Sequence, residues 1–80
     1  MSEPGHRFAA NLRRYRERAG LSQEGLAAAC GLHRTEISLL ERGGREPRLS
    51  TIVRLARALA VAPGALVEGV DADASPCGTS

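Results

Sequence analysis

Residues 21–43, Leu-Ser-Gln-Glu-Gly-Leu-Ala-Ala-Ala-Cys-Gly-Leu-His-Arg-Thr-Glu-Ile-Ser-Leu-Leu-Glu-Arg-Gly, carry two helical patterns with only a tight turn's length between them. Ser22 is a good N-cap, and Gln23 and Glu24 suit the positive end of a helix. Leu26, Ala29 and Cys30 follow at helical spacing, so one face of this helix can be buried. Gly31 supplies the left-handed conformation that ends a helix. A second helix can then start around His33 and run to Arg42, before Gly43-Gly44 stops it. Ile37 and Leu40 give that second helix a narrow apolar stripe, and Ala27 offers a small side chain where the two helices come closest. Few folds accept two helices joined so abruptly.

Flanking segments complete an all-α pattern. A first helix is predicted from about His6 to Ala19, after a loose Met1 to Gly5, with Phe8, Leu12, Tyr15 and Ala19 on one face. Gly43-Gly44-Arg45-Glu46-Pro47-Arg48 reads as a turn rich in conformational breakers. Ser50 is the expected cap of a fourth helix with the core stripe Ile52, Leu55, Ala56 and Leu59, and Leu49 is placed before it as a hydrophobic staple. A short fifth helix is expected to begin near Pro63 and present Leu66, Val67 and Val70. The segment 71–80 turns small, polar and acidic and is expected to be disordered. Eighty residues allow one small core, built from Leu, Ile, Val and Ala because Phe8 and Tyr15 are the only aromatic residues.

The run 21–43, with Arg16 before it and Pro47, Leu49 and Ser50 after it, resembles the xenobiotic-response-element (XRE), or Cro/C1-type, family of helix-turn-helix regulators, which includes phage repressors. The resemblance covers roughly residues 8–70. It implies an all-α, five-helix, lambda-repressor-like domain over residues 6–70 that binds double-stranded DNA and regulates transcription. In that family the residue matching Gln23 touches the DNA backbone or the outermost base, and the loop after the second motif helix touches phosphate. Arg42, Arg45 and the backbone amides near Gly43 and Gly44 are therefore the phosphate candidates, with Arg48 a weaker one. Arg7, Arg18, Arg54 and Arg57 read as solvated surface charges. The family also pairs the residues matching Arg16 and Glu41 in a partly buried ion pair, a structural role.

With Ile37 and Leu40 pointing inward, the outward side chains of the second motif helix are His33, Arg34, Thr35, Ser38 and Leu39. Arg34, in the first turn, is the strongest candidate for reading a base, since a bidentate Arg–guanine contact gives about 1–3 kcal/mol of discrimination. Thr35 and Leu39 suit thymine methyl groups, although Leu39 has the equal alternative of packing on the fourth helix. Glu36 reads either as an acceptor for cytosine or as a local structural group favoured by the helix dipole or paired with Arg34 or Arg13. His33 either touches a phosphate or only starts the helix.

The net charge is +2, yet all eleven arginines precede position 60, alongside six of the acids, while the last twenty residues hold three acids and no base. A basic body thus carries an acidic end. Cys30, Cys77, His6 and His33 lack metal-ligand spacing, and no nucleophile, paired-carboxylate or phosphate-loop signature is present, so neither an enzyme nor a cofactor is expected. No apolar run reaches the roughly 20 residues of a membrane span and no cleavable signal follows Met1, so a cytoplasmic protein is expected. Leu66, Val67 and Val70 exceed what a terminal helix needs for its own packing and are the expected homodimer surface on a palindromic operator. The alternative from another class is a protein-interaction module, antitoxin-like or partner-dependent, with the same fold and little DNA affinity of its own.

Overall fold

A computed structural model describes residues 4–70 of the chain. Five helices follow in order: α1 (Pro4–Arg18), α2 (Gln23–Cys30), α3 (Arg34–Glu41), α4 (Leu49–Leu59) and α5 (Pro63–Leu66). No strand occurs among the described residues. The helix α3 packs on α1 and α2, α4 packs on α2 and α5, and α5 closes back on α1. Phe8 and Leu12 from α1, Leu26 from α2, Ile37 and Leu40 from α3, Leu55 and Leu59 from α4 and Leu66 from α5 meet in one core. Each such side chain is worth about 1.5–3 kcal/mol on full burial, so five short helices that are marginal alone hold one another in place.

The observed boundaries correct several expectations. Helix α1 begins at Pro4, and Gly5 is buried rather than part of a loose arm. Ala29 and Ala19 are exposed, so the inner face of α2 consists of Leu26, Ala27 and Cys30. Helix α4 starts at Leu49, with Arg48 as its N-cap in extended conformation and no side-chain capping bond. Ser50 is thus inside the first turn, and Leu49, 77% exposed, is not a staple. The earlier start gains the Ile52 N–H to Arg48 carbonyl bond of 3.0 Å, which a cap at Ser50 would forgo.

The α1–α5 seam is held by a buried amide. Nδ2 of Asn11 donates to the carbonyl oxygens of Leu66 (3.0 Å) and Glu68 (2.8 Å). Pro63 occupies the first turn of α5, as the residue order predicts. Leu66 is fully buried beneath this seam. That corrects its assignment to a dimer surface: a side chain already spent on the domain's own core has no apolar area left for a second copy. Val67 is 37% exposed and Val70 half-buried, so the outward part of the assignment rests on those two. The expected disorder of 71–80, and Cys77 with it, lies outside the described residues.

Candidate nucleic-acid interface

The turn between α2 and α3 is built from capping bonds. Ser22 Oγ accepts from the Gly25 amide at 2.9 Å and opens α2. Gly31 closes it at φ 72°, while the Leu32 amide donates back to the Ala27 carbonyl at 2.9 Å. Two residues later His33 takes an extended conformation and starts α3. The Glu36 carboxylate accepts from the His33 amide at 3.2 Å, so Glu36 is committed to the helix start instead of to Arg34 or Arg13.

Burial then divides α3 into two faces. Ile37 and Leu40 are fully or nearly fully buried against the core. His33, Arg34 and Thr35 are exposed at the N-terminal end, with Ser38 and Leu39 half-buried behind them. Leu39 lies beside the following loop, its Cδ2 within 3.8 Å of where a Gly44 Cβ would be. It is thereby partly covered by that loop, while keeping an outward edge.

The orientation of α3 is fixed from its other end. Arg16 Nε donates to Glu41 Oε2 at 2.6 Å and Nη2 to Oε1 at 3.1 Å, a forked pair. Nη1 donates to the Leu21 carbonyl at 2.8 Å. The two side chains are only 12% and 4% exposed. Hydrogen bonding to Glu41 raises the Arg16 pKa, against the lowering effect of burial. Gln23 Nε2 donates to the same Glu41 Oε1 at 3.2 Å. Sequence reasoning placed Gln23 on the DNA side alone; its bond to Glu41 makes it part of the joint between α2 and α3 as well. Only the polar type of Gln23 signalled this.

After α3 the loop corrects one further expectation. The Gly43 amide donates to the Leu40 carbonyl (3.2 Å) and the Gly44 amide to the Leu39 carbonyl (3.0 Å). Both are consumed in ending the helix, so they are not open for a phosphate. Arg42 and Arg45 remain exposed on either side of the glycines. Arg48, the weaker candidate, is exposed at the start of α4. Among the described residues, no three His, Cys, Asp or Glu side chains gather as a metal-ligand group.

A family model described as helix-turn-helix matches residues 12–66, which span α2, α3 and their supports. The chain belongs to the helix-turn-helix family. This helix-turn-helix chain is 53% identical over 52 residues to the control protein C.SmaI of Serratia marcescens, covering 65% of this chain and 62% of that protein. It thus spans a little under two thirds of that relative's length. An uncharacterised HTH-type transcriptional regulator, y4dJ of Sinorhizobium fredii, is 41% identical over 69 residues, with 86% of this chain and 87% of that one covered. Among solved structures, the restriction-modification controller protein C.AhdI of Aeromonas hydrophila is 42% identical, with a TM-score of 0.76 over 78% of this chain and 90% of that chain. The XRE, Cro/C1-type character of the helix-turn-helix chain accords with these relatives.

Proposed function

We propose that this chain is a transcriptional regulator that binds double-stranded DNA sequence-specifically, with α3 in the major groove. The observation that carries this reading is the division of α3. One face is locked into the core by Ile37 and Leu40 and its end is held by Glu41, while His33, Arg34, Thr35, Ser38 and Leu39 project from a rigid support. Arg34 reads a guanine edge, and Thr35 and Leu39 meet methyl groups. Arg42 and Arg45 hold phosphates on one side, and Gln23, at the start of α2, does so on the other with the side-chain N–H not donated to Glu41. His33 starts α3 and stands at the edge of this surface.

The protein acts as a homodimer on a two-fold operator, with Val67 and Val70 at the contact. These residues line, with Phe8, Pro47 and Ile52, a shallow apolar notch of about 170 Å³ that a second copy can fill. Similarity to a restriction-modification controller protein supports control of restriction-modification genes as its role, and the cytoplasm is the setting such a role requires. No described helix is long and apolar enough to cross a membrane.

The test is selection of bound sequences from a random duplex pool, with Arg34→Ala in parallel. An enriched palindrome whose preference relaxes at one symmetric position in the variant is the expected result. Well-folded protein that enriches nothing refutes the reading and turns the search to a protein partner.

A further inference from the structure

A cleft of about 460 Å³ opens between α1 and the C-terminal end of α3, lined by His6, Arg13, Arg14, Glu17, Glu41 and Arg42. Its α1 residues share one stripe of the helix, and Ala10 between them leaves the stripe open. We propose that this cleft is a second phosphate site, which holds the sugar-phosphate backbone of duplex DNA flanking the half-site that α3 reads. This rests on the DNA-binding reading above.

Three arginines line the cleft against two glutamates, and neither glutamate cancels an arginine firmly. Glu41 is already neutralised by Arg16 and bonded by Gln23. Glu17 meets Arg13 at 3.4 Å, but both side chains are well over half exposed, so the pair is weak and Arg13 exchanges it readily for a phosphate. Arg14 and Arg42 have no glutamate ion pair among the described contacts, and both are exposed.

The position of the cleft relative to α3 is preset. Gly43 has φ +74°, and a Cβ there would collide with Cδ2 of His6, so the imidazole lies directly on the loop backbone. Gly5, one residue earlier, is buried against the same loop, with the Gly43 carbonyl oxygen 3.4 Å from where its Cβ would stand. The first turn of α1 is thus seated on the end of α3, and the wall carrying Arg13 and Arg14 cannot swing independently. Arg42 follows Ser38 by one helical turn and so continues the outward face of α3 into the cleft. A DNA strand engaged at Arg42 therefore meets Arg13 and Arg14 next, along a track of positive charge.

The experiment uses the selected operator in two lengths, one ending at the half-sites and one extended on both sides, with wild-type protein and an Arg13→Ala, Arg14→Ala double variant. Extension is expected to tighten wild-type binding and steepen its salt dependence. The double variant should lose that gain, roughly tenfold or more at about 0.1 M salt, with the slope of log K against log salt shallower by about 2 to 4, as ~0.9 per phosphate contact gives for two arginines in each protomer of the dimer. Binding to the short duplex should stay the same, and an unchanged melting profile checks the variant's fold. The proposal is overturned if the variant gains from extension as wild type does, or if it loses equally on both lengths. Failure of wild type to bind either duplex refutes the DNA reading itself, a separate result.

Discussion

Replacing Arg16 with alanine removes three hydrogen bonds at once: two to the Glu41 carboxylate and one to the Leu21 carbonyl. What remains is a carboxylate with a side chain 4% exposed and a single partner, the Gln23 amide at 3.2 Å. Breaking a buried pair by deleting one member costs about 3–5 kcal/mol, because the surviving charge is left uncompensated. Single domains hold only about 5–15 kcal/mol in total, and one of this size loses about 4–8 °C of melting temperature per kcal/mol. Arg16→Ala is therefore expected to lower the midpoint by well over 10 °C, read by circular dichroism at 222 nm during heating and urea titration. The Arg16→Met, Glu41→Leu double variant, which leaves no orphan charge, should recover much of the loss. Equal destabilisation in single and double variants would show that packing of the arginine stem matters more than the charge. An unfolding free energy within 1 kcal/mol of wild type in Arg16→Ala would refute the argument outright.

Three further outcomes are expected. Ala60 ends α4 at φ 58°, a left-handed conformation that costs a non-glycine residue about 1–2 kcal/mol; Ala60→Gly should raise stability by roughly 0.5–1 kcal/mol in urea denaturation, after glycine's own entropic cost. Asn11→Ala strands the Leu66 and Glu68 carbonyls and should cost about 1–3 kcal/mol, with hydrogen exchange of residues 63–70 accelerating more than that of α2. Burial pushes the Cys30 thiol above its ordinary pKa of 9.0, and its Sγ donates to the Leu26 carbonyl at 3.0 Å. The folded protein thus holds this proton more tightly than the unfolded chain does. The resulting stability is complete below the ordinary thiol pKa and declines as pH rises through and beyond it. In a Cys77→Ser background, alkylation at pH 8 should proceed only as fast as the protein opens.

Much of this architecture was legible in the sequence because steric demands are local. Ser22, Gly31 and Pro63 each answer a backbone requirement that few residues meet, and all three stand where the chain order placed them. What escaped was decided by neighbours distant in sequence. An apolar pattern marks Leu66 as a residue that seeks cover without saying whether α1 or another molecule provides it. Likewise, Gly43 and Gly44 announce a helix end, but whether their amides face inward or outward depends on which carbonyls the last turn leaves open. Gly5 looks loose in the sequence because the atoms closest to it come from the loop some forty residues on. For the interface, the outward face of α3 followed from its period, whereas the tie from Gln23 to Glu41 needed three helices in place.

Glu41 sits at the C-terminal end of α3, at a point where α1, α2 and α3 all report to one carboxylate. The consequence is a separation of address from frame. Because none of the bonds that aim the helix passes through residues 34, 35, 38 or 39, their side chains are free to be exchanged for others without re-aiming it. Substitutions at those four positions are thus expected to leave the Arg16–Glu41–Gln23 joint, and with it the pose of α3, unchanged.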